Sequence, residues 1–494
     1  MRIHSFMSKG FAGDCIVVEA DLRKGFPGFD IVGLPDGAIR ESKERVRSAM
    51  RNTGFGIPRE RVLINLAPAG MHKSGSHLDL AIALAIIITQ KMAEGTIPLL
   101  NAIPIMVVGE LGLDGSVIGV QNVQGALVAA QARGCRLCVI PDQGISTGEY
   151  AVACVRTLSA AVATVQEFLC SNDVQYGEVS HSPYQEIRGN DPFAIVEGLS
   201  GVRKSLEIAA VGGHQLLLFG PPGAGKTLAA SCLPQVLAPP DLAMQLEISR
   251  CRSVLGESGE LVGSRPFRVL SQTCSRDDFP REAALCHGGI MIVDEIASLG
   301  KGMLNWLRET HDQKKVRLRL DRTLSEFPAD FQMVATMNAC PCGQLGFEDG
   351  RCSCSPVAIA RFWNRLGAGL LDRFDIRFPV DSIGENPLEA LDFDVDAAYD
   401  RQRKRYANVF PVIRRNADLL FRTDARSGFL PNPMVGLVKE ITRGSLGYRG
   451  ILSVCTMART IADLQDREEV TEEQIAYAIG LRRYGSHDFY WRSS

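Results

Sequence analysis

Gly220-Pro221-Pro222-Gly223-Ala224-Gly225-Lys226-Thr227 satisfies G-x-x-x-x-G-K-[ST] at every fixed position. Gln215-Leu216-Leu217-Leu218-Phe219 before it reads as a buried strand, and Leu228-Ala229-Ala230 after it opens a helix. That strand–loop–helix context separates a phosphate-binding loop from an ordinary Gly/Pro-rich turn. Glycines let the backbone curl until several N–H groups face phosphate oxygens, and a helix N-terminus adds partial positive charge. Gly220 through Leu228 are therefore the candidate ATP-binding residues. Lys226 reaches the β- and γ-phosphates, and Thr227 offers its hydroxyl to Mg²⁺.

Two further strands extend the pattern. Gly289-Ile290-Met291-Ile292-Val293 ends in Asp294-Glu295, the form of a Walker B strand. Asp294 would hold Mg²⁺ and Glu295 would polarise the attacking water, since carboxylates both bind a hard cation and accept a proton. Phe331-Gln332-Met333-Val334-Ala335-Thr336-Met337 ends at Asn338. A polar side chain at the carboxyl edge of a parallel sheet faces the ligand crevice, where an amide can orient water. Leu370-Leu371-Asp372-Arg373-Phe374-Asp375 follows, an Arg between two Asp residues that also has the form of an ion-pair network.

The 494-residue chain is too long for one core, so two or three domains are expected. Apolar residues make up 46% and charged ones 22%, as in a globular protein in water, and the net charge of −2 excludes a polycation. Any nucleic-acid contact must come from a local basic surface. Met1 to Gly10 has no apolar h-region, so no signal peptide is expected. The longest apolar run, Leu78 to Thr89, is interrupted by Asp79 and is shorter than the roughly 18 to 20 residues that span a bilayer; it reads as a buried helix. A cytoplasmic location without membrane partners follows, with the fourteen cysteines reduced.

Residues 1–172 alternate strand-like runs (Cys15 to Ala20, Val62 to Leu66) with helical ones (Ala38 to Asn52), an α/β unit. Residues 173–190 are polar and aperiodic and read as a linker. Residues 191–380 carry the nucleotide motifs, and 381–494 are helical with basic faces, as in Ala397 to Tyr406 and Gly450 to Leu464.

The order P-loop, Walker B, Asn338 and Leu-Asp-Arg-Phe-Asp resembles the AAA+ ATPases. In their chelatase and helicase branch the arginine at the position of Arg373 is a finger supplied to the neighbouring subunit's ATP, and the resemblance makes Arg449, in Gly447-Tyr448-Arg449-Gly450, the sensor-2 arginine. Phe26 to Pro35, Glu44 to Ala49, Ile64 to Ala69, Val108 to Leu111 and Ala458 to Leu464 resemble the Mg-chelatase-like ATPases of the YifB/ComM family over nearly the whole chain. The resemblance implies hexameric DNA motors of the branch-migration type, acting in natural transformation or recombination. It also implies an N-terminal domain similar in fold to the Lon protease domain, an AAA+ core and a helical lid.

Lon uses a Ser/Lys dyad. Aligning His72-Lys73-Ser74-Gly75-Ser76-His77 with its nucleophile loop puts His77 at the Ser position, and aligning Gly109 to Gly115 puts Gln124 at the Lys position. A Ser nucleophile needs a base, so the domain reads as non-proteolytic; Ser74 and Ser76 beside Lys73 are the alternative. Three stretches depart from the family pattern: Val269-Leu270-Ser271-Gln272 after Arg265-Pro266-Phe267-Arg268, Ser275 to Pro280, and Gly367-Ala368-Gly369.

Lys314-Lys315-Val316-Arg317-Leu318-Arg319-Leu320-Asp321-Arg322 alternates apolar and basic residues. Its placement resembles the pre-sensor hairpin of ring helicases. Lys314, Lys315, Arg317, Arg319 and Arg322 are candidate DNA-phosphate contacts, with a solvated face as the alternative. Cys340-Pro341-Cys342 and Cys352-Ser353-Cys354 offer four thiols to Zn²⁺, with reduced or redox-sensitive cysteines as alternatives. Cys135 and Cys138 are expected to be buried as small hydrophobes. The leading reading is an ATP-hydrolysing ring motor on single-stranded or branched DNA. The second is a chelatase-type ATPase remodelling a protein partner; an ATP-dependent protease is disfavoured.

Overall fold

The computed structural model describes residues 2–71, 73, 75–98, 105–142, 151–171, 200–257, 261–270, 273–320, 323–346, 352–380, 391–407, 413–421, 429–430, 432–443 and 445–485. The expected linker, His72, Ser74 and Arg322 lie outside them. The chain divides into two units. One draws on Met1–Gln185, Pro240–Ser264 and Arg317–Phe327; the other draws on Glu186–Pro239, Arg265–Val316 and Pro328–Ser494.

A seven-stranded mixed sheet organises the first unit, in the order Gly28–Val32, Arg61–Ala67, Ala12–Arg23, Arg2–Lys9, Ile105–Val107, Leu137–Pro141, Ala151–Val155. Arg2–Lys9 and Ala12–Arg23 form an antiparallel hairpin; Ile105–Val107 then pairs parallel with Arg2–Lys9, and the remaining two strands continue in parallel. Alternation sets the buried face: Val62, Ile64 and Leu66 point inward from Arg61–Ala67. Helix Asp79–Ala93 is apolar all round, and Leu80 to Ile88 are fully or almost fully buried. Cys135 and Cys138 are buried as expected.

Asp79 begins that helix with no exposed surface, and Arg45 of helix Gly37–Asn52 holds it with Nε 2.7 Å from Oδ2. The same guanidinium donates to Ser42 Oγ at 2.9 Å. Removing one partner of such a pair strands the other charge, at a cost of about 3–5 kcal/mol. Arg45→Met is therefore expected to shift the first unit's urea unfolding to lower denaturant. The exposed Arg40→Met on the same helix should leave the transition in place.

Two stretches assigned by linear order to the ATPase core belong to the first unit: helix Leu242–Val254 and most of the hairpin formed by Lys315–Leu320 and Thr323–Pro328. The reason is packing within that unit. Leu246 joins Phe6, Val123 and Leu127 in one apolar cluster. Phe11 packs on Phe327 with ring centroids 5.6 Å apart, and the Arg250 guanidinium lies 4.3 Å over Phe11. Gly10 turns the first hairpin with φ +61°; a Cβ there would fall 2.4 Å from Ser325 Oγ.

The second unit is built on a five-stranded sheet in the order Phe267–Leu270, Ile290–Val293, Gln332–Met337, Leu216–Phe219, Ile376–Pro379, parallel throughout. Its three inner strands are buried along their length, so they read as continuous apolar runs. The C-terminal helices Val395–Tyr406, Asn432–Ile441, Tyr448–Leu464 and Glu472–Arg482 share a core with the sheet. Leu216, Val334 and Ile376 cluster with Val454, Ile461 and Ile475. The expected core and lid therefore pack as one body. No described helix is long and apolar enough to cross a membrane.

Candidate nucleotide site

The sheet aligns the ends of three strands. Phe219 pairs with Met337, and Val293 pairs with Ala335. The P-loop, the Asp294-Glu295 pair and Asn338 thus leave the same carboxyl edge, where parallel sheets bind ligands. Gly220 tolerates no side chain, because a Cβ would lie 2.1 Å from the Val380 carbonyl oxygen. Gly223 and Gly225 take φ of +80° and +82°, and helix Lys226–Cys232 begins directly after them. Leu228 lies in its first turn with a side chain 45% exposed.

Lys226 Nζ donates to the carbonyls of Gly220 (3.0 Å) and Pro221 (2.7 Å) and lies 3.5 Å from Asn338 Oδ1. Burial pushes its ammonium below the ordinary value, against the pull of Asp294 and Glu295. Thr227 Oγ1 donates to Asp294 Oδ1 at 2.9 Å, and Thr336 Oγ1 donates to the same oxygen at 2.5 Å. Thr336 also accepts the Glu295 N–H at 3.1 Å. Glu295 adopts the left-handed region at φ +48°, costly for a non-glycine residue, and its side chain is exposed. Sequence reading missed Thr336, counting it as one more core position of an apolar strand. A lone hydroxyl two positions before the amide was the available signal.

A second polar cluster surrounds Leu370 to Asp375. Arg373 Nε donates to Asp312 Oδ1 at 2.7 Å, and Nη2 donates to Oδ2. Burial raises the Asp312 pKa, but hydrogen bonds with His311 and Arg373 more than reverse this and hold the carboxyl well below its usual range. Asp372 accepts from Arg482 at 2.5 Å and lies 4.0 Å from Arg449 Nε. Asp375 is buried and accepts from Ser453 at 2.6 Å and from the Gln215 amide at 3.2 Å. Arg449, in the first turn of helix Tyr448–Leu464, lies 5.6 Å from the Phe421 ring, and its Nε has no hydrogen bond among the described residues. Burial lowers its pKa against the pull of Asp375. Arg373 and Arg449 thus share one cluster, and both readings of the motif, ion-pair network and arginine donor, meet in it. Asp312 and Arg482 were not legible as partners, being 61 and 110 positions from the residues they hold.

Comparison with known proteins places the whole chain. The model for magnesium chelatase, subunit ChlI, matches residues 192–388, one for subunit ChlI of Mg-chelatase matches 18–144, and one for the ChlI C-terminal part matches 388–482. An uncharacterized protein of Mycobacterium tuberculosis is 31% identical over 98% of this chain and 99% of its own. YifB of Escherichia coli is 29% identical, covering 97% of this chain and 96% of its own. The competence protein ComM of Haemophilus influenzae is 28% identical over 97% of each chain. The chain belongs to the YifB/ComM family of Mg-chelatase-like proteins.

Against that family pattern, the departing stretch Ser275 to Pro280 is ordered by local contacts. Ser275 Oγ donates to Asp278 at 2.6 Å, Phe279 packs on Trp306 at 5.9 Å, and Arg276 lies 5.2 Å over the same ring. Ser271 and Gln272 lie outside the described residues.

The hairpin keeps its predicted alternation: Lys315, Arg317 and Arg319 are exposed and Val316 is buried. Lys314 differs. It caps helix Lys301–Gln313 at φ +53°, donates to Asp330 at 3.0 Å and lies 4.5 Å over Phe421, so it serves the fold. In the first unit, Ser76 Oγ donates to Glu110 at 2.5 Å, His77 Nδ1 has no hydrogen bond among the described residues, and Gln124 is buried. Lys73 is fully buried and donates to the Pro68 carbonyl. The four cysteine sulfurs, Cys340, Cys342, Cys352 and Cys354, lie within 4.8 Å of one another.

Proposed function

We propose that this chain hydrolyses ATP as a ring of identical subunits and uses the cycle to move along DNA. The carrying observation is the hydrogen-bonded set of Lys226, Thr227, Asp294, Thr336 and Asn338 at one sheet edge. Loop amides and Lys226 would hold the phosphates. Thr227 and Asp294 present adjacent oxygen donors that would hold Mg²⁺, and the ion would supply positive charge against the charge that develops on the phosphates. Glu295 would take the proton of the attacking water, and Asn338 would orient that water.

Arg373 and Arg449 sit together, so both would serve the nucleotide of a neighbouring subunit, Arg373 exchanging the Asp312 carboxylate for phosphate oxygens. A head-to-tail contact repeated with closure makes such a ring. The first unit would be a non-proteolytic, Lon-like module, because Ser76 is bonded to a carboxylate and Lys73 to a carbonyl. This reading sets the protein in the cytoplasm.

Two observations support DNA as the track: the name of the competence relative and the exposed arginines of the hairpin. Arg317→Gln with Arg319→Gln is expected to leave basal hydrolysis intact while weakening binding to branched and single-stranded DNA alike. The salt slope should flatten by about 0.7 to 0.9 for each phosphate that an arginine no longer neutralises. Stimulation of hydrolysis by branched DNA should fall in parallel. Unaltered DNA affinity and salt slope would remove the hairpin from the track. The ChlI match favours a second reading, remodelling of a protein partner. It would be supported by wild-type hydrolysis that ignores DNA and responds to a protein.

A further inference from the structure

We propose that Cys340, Cys342, Cys352 and Cys354 form a tetrathiolate Zn²⁺ site that fastens the segment after Asn338 beside the phosphate-binding loop. The sulfurs are arranged around one point. Cys340–Cys342 is 3.4 Å, Cys342–Cys352 is 3.7 Å, Cys352–Cys340 is 3.7 Å, and all four lie within 4.8 Å of one another. Four thiolates each about 2.3 Å from one Zn²⁺ stand roughly 3.8 Å apart at tetrahedral angles. An iron–sulfur cluster spreads its four thiolates over more than one iron and needs a wider opening. Hard cations want oxygen donors, and none of these ligands supplies one. Among the described residues, no other group of His, Cys, Asp and Glu side chains has such an arrangement.

The backbone is shaped for thiolates. Gly343, at φ +76°, turns the chain after Cys342 so that the next two amides point back at the sulfurs. Gln344 N lies 3.4 Å from Cys342 Sγ, and Leu345 N lies 3.4 Å from Cys340 Sγ. N–H donors stabilise negative sulfur. The second pair is anchored from the other side. Ser355, directly after Cys354, caps helix Pro356–Trp363, accepting from the Ala358 amide at 3.2 Å. Trp363 of that helix donates to the Ala339 carbonyl at 3.0 Å and packs edge-on against Phe219 at 4.9 Å. One ion would therefore join the exit of the Asn338 strand to this helix. The turn also abuts the P-loop, since a Cβ on Gly343 would stand 3.1 Å from Pro222 Cγ. Binding expels the thiol protons to solvent, so metal retention weakens as pH falls.

The full chain, purified without chelators, is expected to carry about one zinc per chain by elemental analysis. Cys352→Ser with Cys354→Ser should lose it, whereas Cys154→Ser with Cys170→Ser, at two exposed positions elsewhere, should keep it. Titrating Co²⁺ into zinc-stripped wild-type protein needs no variant and should give intense thiolate-to-cobalt absorption that saturates at one equivalent. Metal-free protein without that absorption, iron in place of zinc, or zinc retained when all four cysteines are serine would each overturn the site.

Coupling to the P-loop rests on the ATP reading and is measured separately: stripping zinc should weaken binding of a fluorescent ATP analogue about tenfold. Unchanged binding would overturn the coupling, and a Lys226→Ala variant that still binds the analogue would instead overturn the ATP reading.

Discussion

Lys226→Ala is expected to abolish tight ATP binding, whereas Glu295→Gln is expected to bind ATP normally and turn it over slowly. The two substitutions act on different quantities. Lys226 is a partly buried ammonium held by the Gly220 and Pro221 carbonyls, and in the proposed cycle it would meet the phosphates in the ground state as well as the transition state. Its removal costs binding throughout. Glu295 is exposed, projects from a left-handed residue beyond the Walker B strand, and its backbone N–H is held by Thr336. Gln keeps the shape but cannot take a proton, so the loss falls on kcat by about 10²–10⁴-fold. Fluorescent-nucleotide binding beside single-turnover hydrolysis separates the two effects. A Glu295→Gln protein with wild-type turnover would end the assignment of Glu295 as base. A Lys226→Ala protein with wild-type affinity would end the P-loop reading.

The second large effect is expected at Arg373. Arg373→Ala should keep ATP affinity and lose hydrolysis by a factor comparable to the roughly 10³–10⁵ that arginine fingers supply in GTPases. The fold should tolerate the change, because the carboxylate left behind, Asp312, is 37% exposed and can be hydrated. Mixing distinguishes a finger in trans from an internal brace. In the proposed ring, Arg373→Ala subunits would keep intact P-loops and lack fingers, and Lys226→Ala subunits would have the reverse. In randomly mixed one-to-one rings, about a quarter of the head-to-tail interfaces would combine an intact P-loop with an intact finger. Hydrolysis should then reappear from two inactive preparations. If no mixing ratio restores it, Arg373 is a structural member of the network with Asp312.

The candidate nucleotide site was legible as a pattern because its motifs are carried by consecutive residues. A phosphate cradle uses adjacent amides, so the motif that Gly220 to Thr227 matches is written in one uninterrupted stretch. Asp294 and Asn338 each follow an apolar run that can only be a buried strand. The same contiguity made helices Asp79–Ala93 and Tyr448–Leu464 visible as apolar patterns. Thr336 was not legible, because a β-branched residue suits a buried strand whether or not its hydroxyl holds a carboxylate.

Pairing across the fold was decided only in three dimensions. Nothing near Lys314 marks Asp330 as its partner, yet that ion pair removes it from the basic face that Arg317 and Arg319 keep. Nothing near Arg373 selects Asp312 among the chain's carboxylates. Contacts also join Leu242–Val254 and most of the hairpin to the first unit, because Leu246 and Phe327 find their apolar partners around Phe6 and Phe11, more than two hundred positions away. Sequence alone determined which groups are candidates to bind and cleave a phosphoanhydride, since those motifs are local along the chain. Tertiary structure decided which charges remain available and which segments travel together, since burial and ion pairing depend on neighbours that sequence distance does not reveal.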